Sequence, residues 1–268
     1  MIPQAYITEW SNNVPWRTNE QVEQDLVICR ALIAIFSDEF LASSLAFRGG
    51  TALHKLYLHP QPRYSEDIDL VQIRPEPIKE TIQRLQKQLS FIDASSVVDQ
   101  KRNNNTLKFR FNSEFPPVQT LKVKVEINCK EHFTVLGYQK FPFEVKSSWF
   151  TGSCNITTYR LEELLGTKLR ALYQRRKGRD LYDLYKALIK VPELEKEAIL
   201  QCYQEYMKFV VSQLPSRKQF IQNMEAKMLD AEFLGDLAAL IRPEEKYKQD
   251  EAYELVRTEI IERLYKWL

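Results

Sequence analysis

Two aspartates one residue apart, Asp67 and Asp69, sit in an apolar frame made by Ile68, Leu70 and Val71. In a strand, residues two apart point to the same face. Asp67 and Asp69 would then stand side by side while Ile68 enters the core. Carboxylates that close repel one another unless a cation neutralises them. A hard divalent ion such as magnesium, with oxygen ligands and an affinity for phosphates, is the natural partner. Upstream, Gly49 and Gly50 allow a tight turn in which backbone amides can approach a ligand. If Thr51 opens a helix, its amide and hydroxyl face outward at the positive end of the helix dipole, a ready site for a triphosphate. By itself a Gly-Gly pair is more often a plain turn, and a D-x-D a loop or a cap. In this order, with a helix between them, they form the minimum equipment for transferring part of a nucleotide.

Two further stretches carry charge in informative places. In Thr120–Asn128, TLKVKVEIN, the residues Leu121, Val123, Val125 and Ile127 alternate with Lys122, Lys124 and Glu126. Glu126 is thus a candidate third metal ligand, or else a solvated carboxylate paired to Lys124. Glu114, Glu131 and Glu144 are weaker competitors. In Leu161–Leu184 the cations Lys168, Arg170, Arg175, Arg176, Lys177 and Arg179 crowd one segment of a chain whose formal net charge is only +2. Arg175, Arg176, Lys177 and Arg179 are either a solvated helix end, with Gly178 terminating the helix, or contacts to the phosphates of nucleic acid or of a nucleotide. Lys168 differs, because it lies on the apolar side of its helix beside Leu165 and Leu169 and needs a partner there. A triphosphate would suit it. Asp180 and Asp183, three residues apart, share a helix face; Asp180 is also a plausible helix cap.

The elements that must position these groups follow from periodicity. Residues 1–18 read as irregular, with Trp10 and Trp16 packing the arm onto the body. A helix is expected from Asn19, its N-cap, to Ser43, because Val22, Leu26, Cys29, Ile33, Phe36 and Phe40 recur at helical spacing. A short strand, Leu45 to Arg48, leads into the glycine turn, a helix covers Thr51 to Tyr57, and the Asp67/Asp69 strand runs to Ile73. A helix then extends to Leu89 behind Pro75 and Pro77. Strands near 96–100 and 106–111 are joined by a turn at Asn103–Asn105. The region from Pro142 to Asn155 reads as mixed, and from Thr158, a candidate cap, the chain reads as helical to Trp267. The expected fold is therefore α+β: a mixed sheet flanked by helices over residues 1–154, and a helical domain over 155–268 that closes the active-site cleft.

The bulk composition excludes several classes. A net charge of +2 over 268 residues gives no global polyelectrolyte character, so any basic surface is local. The four cysteines are scattered and the three histidines have no metal spacing, so reduced thiols in a cytoplasmic protein are expected, not a disulfide frame or a zinc site. No basic-then-apolar leader and no apolar run of about 20 residues is present, so neither secretion nor a membrane span is expected.

GGTAL followed by RYSEDIDL resembles the AbiEii family of nucleotidyltransferase toxins, within the DNA polymerase beta-like nucleotidyltransferase superfamily. The likeness runs to about residue 185. It departs from the superfamily pattern in having Thr51 where serine is commoner and a longer gap before Asp67, departures that AbiEii-type proteins share. The resemblance implies that Asp67, Asp69 and Glu126 hold one or two magnesium ions and that Gly49, Gly50 and Thr51 bind the phosphates of an NTP substrate. It also implies that Lys168 contacts phosphate while Asp183 completes the site, Asp180 being the alternative carboxylate. It implies a toxin with a cognate antitoxin in a toxin–antitoxin or abortive-infection system. Some relatives add nucleotides to transfer RNA, which the cations of 175–179 would suit. Nucleotide transfer to protein and a non-turning-over Mg-NTP-binding module are the rival functions.

Overall fold

The computed structural model describes residues 2–101, 103–242 and 244–264. The chain forms two compact units, Met1–Thr134 with Tyr138–Tyr159, and Val135–Gly137 with Arg160–Leu268.

The first unit begins with helix α1 (Gln4–Trp10), where an irregular arm was expected. Ile7 and Trp10 are buried, and the Trp10 indole N–H donates to Asp25 Oδ1 at 3.0 Å. Helix α2 (Asn19–Ser37) is capped by Thr18, not Asn19: the Thr18 hydroxyl accepts the Gln21 N–H. The expected single helix to Ser43 breaks at Asp38, whose carboxylate accepts the Leu41 N–H and starts α3 (Glu39–Ser44). Strand β1 (Leu45–Arg48) follows, then a single turn α4 (Gly49–Ala52) that widens into π-type turns over Leu53–Tyr57. Next come β2 (Asp67–Gln72), α5 (Lys79–Gln88), β3 (Val97–Lys101), β4 (Asn104–Asn112) and β5 (Thr120–Asn128). The turn between β3 and β4 is tighter than expected, since Lys101 faces Asn104 and Asn105 lies within the ladder; residue 102 falls outside the described residues.

The stretch read as mixed is a hairpin, β6 (Tyr138–Lys146) and β7 (Thr151–Tyr159). The expected boundary at 154/155 therefore falls inside β7. Thr158 caps no helix; it is the position of β7 that pairs with Phe47 of β1, and its hydroxyl donates to the Phe47 carbonyl. Sequence periodicity missed these strands because β6 carries Pro142 mid-strand on the sheet edge, where proline is tolerated, and β7 is small and polar.

The seven strands run in the order β3-β4-β5-β2-β1-β7-β6, with β2/β5 and β1/β7 parallel and the other pairs antiparallel. One face buries Ile68, Leu70, Leu107, Phe109, Phe111, Val123, Val125 and Ile127. Each such side chain contributes about 1.5–3 kcal/mol of burial. A one-residue slip of β2 would drive Asp67 and Asp69 into that core, so the apolar alternation holds the acidic residues on the open face.

The second unit contains helices α6 (Leu161–Gln174), α7 (Gly178–Lys190), α8 (Lys196–Lys208), α9 (Arg217–Lys227), α10 (Ala231–Gly235) and α11 (Gln249–Glu259). Glu163 is fully buried at the start of α6. Its carboxylate accepts the Val135 and Leu136 N–H groups at 2.8 and 2.9 Å and the Tyr206 hydroxyl at 2.8 Å, clipping segment 135–137 to this unit. Gly178 does not end a helix: α6 ends at Gln174, and Gly178 is the first residue of α7. The last helix, expected to reach Trp267, ends earlier; residues 265–268 lie outside the described residues. Among the described residues no helix is long and apolar enough to cross a membrane.

Candidate active site

The register of the sheet assembles the first group of candidates. Asp67 pairs with Lys124 and Asp69 with Glu126 across the parallel β2/β5 ladder, and Asp69 faces Arg48 across β1. Neighbouring strands lie about 4.8 Å apart, so Asp67, Asp69 and Glu126 are adjacent on one partly exposed face. Asp67 and Asp69 have different neighbours. Asp67 Oδ1 lies 3.6 Å from Lys124 Nζ, and the Asp69 carboxylate leans on the glycine turn. Lys124 thus approaches Asp67, not Glu126. Among the described residues, no three His, Cys, Asp or Glu side chains converge closely enough to hold a metal ion. The donor chemistry still fits a hard divalent ion: three oxygen-bearing groups sit on neighbouring backbone positions, and an ammonium already stands beside Asp67 as a monovalent substitute. Of the competing acids, Glu131 is committed to Arg48 Nη1 at 2.6 Å, and Glu144 pairs with Lys146.

The need for two glycines is steric. Gly49 has φ +78°, and a Cβ there would stand 2.0 Å from Asp69 Oδ2; a Cβ on Gly50 would stand 2.6 Å from Arg63 Nη2. Asp69 can therefore lie against the turn only because Gly49 lacks a side chain. Thr51 is buried, and its hydroxyl faces inward, not outward as expected. It donates to the Asp67 carbonyl at 2.5 Å and lies 2.8 Å from Ser65 Oγ. It ties the turn to the start of β2.

Two supports escaped sequence reading. Arg63 is fully buried under the turn, with Nη1 donating to the Tyr64 carbonyl at 2.9 Å. Deeper, Lys55 Nζ bonds Asp25 Oδ2 at 2.8 Å and Cys29 Sγ at 3.2 Å, all three fully or nearly fully buried. Burial pushes the Lys55 ammonium down, but Asp25 and Cys29 outweigh it and hold it well above its usual range. Burial pushes the Cys29 thiol up to about 12 despite Lys55. The available signal was a charge bordering or interrupting apolar residues, Asp25 before Leu26–Cys29 and Lys55 between Leu53 and Leu56.

The second group lies in the helical unit. Lys168 Nζ is buried between Asp180 Oδ1 at 3.1 Å and Asp183 Oδ2 at 2.9 Å. Arg175 closes on Asp180 through Nε at 2.6 Å and Nη2 at 2.8 Å. Burial pushes the Asp180 carboxyl up, but Lys168 and Arg175 more than offset it and hold it below the usual range. The partner that Lys168 required is thus this pair of carboxylates, and Asp180 serves an ion network instead of capping α7. The remaining cations of 175–179 are also matched: Arg176 with Asp230, Lys177 with Glu232, and Arg179 with Asp236 through Nε and Nη2.

Comparison with known proteins agrees with this architecture. MenT4, a nucleotidyltransferase toxin from Mycobacterium tuberculosis, superposes with a TM-score of 0.70 at 16% identity, covering 99% of this chain and 91% of that one. JHP933 from Helicobacter pylori superposes with a TM-score of 0.53 at 14% identity, covering 93% of each chain. At such identities the likeness is one of fold. No curated protein sequence matches the chain. The family model described as the nucleotidyl transferase AbiEii toxin of type IV toxin–antitoxin systems matches residues 30–255, which include both groups of candidates. The chain belongs to the AbiEii nucleotidyltransferase toxin family.

Proposed function

We propose that this enzyme transfers a nucleoside monophosphate from an NTP to a hydroxyl of RNA, a transfer RNA 3′ end being the acceptor that suits the family, with magnesium held by Asp67, Asp69 and Glu126. The observation that carries the reading is the β2/β5 register, which sets Asp69 beside Glu126 and Asp67 one step away, next to the glycine turn. Bound there, magnesium supplies charge neutralisation to the triphosphate and eases ionisation of the acceptor hydroxyl. Gly49 and Gly50 offer backbone N–H groups to the phosphates, and Thr51 holds that turn against Asp67. Lys168 is matched by Asp180 and Asp183, which gives it to the internal ion network of the helical unit and not to phosphate, and Asp183, 2.9 Å from its ammonium, holds it there, which favours orientation over proton transfer for this carboxylate. Arg176 and Lys177 pair with Asp230 and Glu232 at the surface, so their charge is already met by acids. The toxin acts in the cytoplasm and is counteracted by a cognate antitoxin.

The test incubates purified protein with magnesium, each α-labelled NTP in turn and total RNA, beside Asp67→Ala and Asp69→Ala. Label should enter RNA with the wild type and fall by about a thousandfold or more in either variant, a loss of roughly 4 kcal/mol of transition-state stabilisation. Full activity in a folded Asp69→Ala variant would sink the mechanism. Label entering protein would move the acceptor to a protein hydroxyl. Saturable Mg-NTP binding without transfer, in the presence of cell extract, would make this a binding module.

A further inference from the structure

The open face of the sheet carries a second charged feature beside the carboxylates. Lys108 of β4 stands opposite Lys124 of β5, and Arg110 stands opposite Lys122. Directly opposed residues share a face with Cβ atoms about 5 Å apart, and like charges so placed destabilise a sheet. Two such pairs follow one another, about 6.8 Å apart along the strands. Lys124 has Asp67 at 3.6 Å. Lys108, Arg110 and Lys122 form no ion pair among the described residues; Arg110 lies within the field of Asp93, whose carboxylate its backbone N–H binds. Lys122 and Arg110 are exposed and Lys108 is half-exposed. Next to Lys108, at its register position on β3, Val97 is 51% exposed.

The strand order gives this patch a direction. Across β4-β5-β2-β1, the cations lie on β4 and β5, the carboxylates on β5 and β2, and the glycine turn follows β1. The cations therefore flank the carboxylates on the side away from the turn that would take the NTP. They form a block two strands wide and two residues long, larger than a single phosphate needs and spaced for successive phosphates of a strand.

We infer that the open β4/β5 face, through Lys108, Arg110, Lys122 and Lys124, binds the phosphate backbone of the RNA acceptor strand and leads its 3′ end to the carboxylates. The like-charge pairs weaken the empty sheet and are relieved when phosphates lie over them. This rests on the transferase reading for the identity of the acceptor, but the binding itself is read without turnover. By contrast, the cations at 175–179 are each matched by an acid and are poorer seats for a polyanion.

The test measures binding of a 5′-fluorescent single-stranded RNA oligonucleotide with a free 3′-hydroxyl, by anisotropy over a salt series. The wild type is compared with Lys108→Gln/Arg110→Gln/Lys122→Gln and with the single variant Lys122→Gln. The slope of log affinity against log salt should fall in magnitude by about 0.7 for each phosphate contact removed, and so by about 2 in the triple variant. Affinity for a fluorescent Mg-nucleotide should stay within about twofold, and the melting temperature should hold or rise as the opposed charges are removed. An unchanged RNA slope in both variants would overturn the assignment. So would a parallel loss of nucleotide affinity, which would give the patch to the NTP, or wild-type binding of an acidic peptide in place of RNA. If the triple variant melts lower, the single variant and its slope change of about 0.7 decide the matter. Failure of label transfer with a normal RNA slope would count against the transferase reading alone.

Discussion

The two charged regions of this protein are built on opposite principles. On the sheet of the first unit, Asp67, Asp69 and Glu126 are partly exposed, and the neighbouring cations of β4 oppose the cations of β5. In the helical unit Lys168, Asp180 and Asp183 are buried, and each charge has a partner within 3.1 Å. Removing charge from water costs several kcal/mol per ion unless geometry and hydrogen bonds compensate. The helical network meets that condition internally. The sheet face does not, and it is left able to exchange partners with a ligand. A dense run of basic residues in the sequence is therefore a poor guide to a binding surface; which cations lack an acid is the better guide, and folding decides that.

Three experiments would break or sharpen this contrast. The largest effect belongs to the buried network. Lys168→Met removes the ammonium between the buried Asp180 and Asp183, Asp180 keeping Arg175, and should lose about 3–5 kcal/mol of unfolding free energy in a denaturant titration. Lys122→Gln on the open face should lose nothing. Equal losses would erase the distinction between the regions.

The second effect is in pH. The Asp180 carboxyl is held below its ordinary value of 3.8. Its contribution to stability is fully present above that unfolded value and is lost as pH falls through the lower folded one. Asp180→Asn should be less stable than the wild type at pH 7, and its melting temperature should fall less steeply on acidification below about pH 4. An acid profile parallel to that of the wild type would show that the network does not hold Asp180 ionised.

The smallest effect belongs to the exposed rim of the same cluster. Arg176 is 69% exposed in its pair with Asp230. Arg176→Ala should shift the melting temperature by no more than about 2 °C. A larger shift would make the rim part of the structural network.

Much of the layout of the candidate site was legible in the chain itself. The alternation of TLKVKVEIN and of the apolar residues around Asp67 and Asp69 dictates which side chains leave the core, because a strand has period two and burial rewards one register. The glycine pair foretells a turn into which something packs closely. The hairpin of β6 and β7 was illegible because its strands are polar and contain Pro142, and their existence depends on pairing with β1 far away in sequence. The inward turn of Thr51 was equally hidden, since local propensity does not say that the Asp67 carbonyl and Ser65 arrive beside its hydroxyl.

What the sequence determined alone is thus the local pattern: the acidic strand, its apolar frame, the glycine turn and the helical character of the second half. Tertiary structure alone decided the charge partners. It placed Glu126 beside Asp69, Lys55 beneath the turn on Asp25, and Asp180 and Asp183 around Lys168. Hydrophobic periodicity is a short-range property of a chain, whereas a charge becomes paired or free only when segments tens of residues apart are brought within a few ångströms.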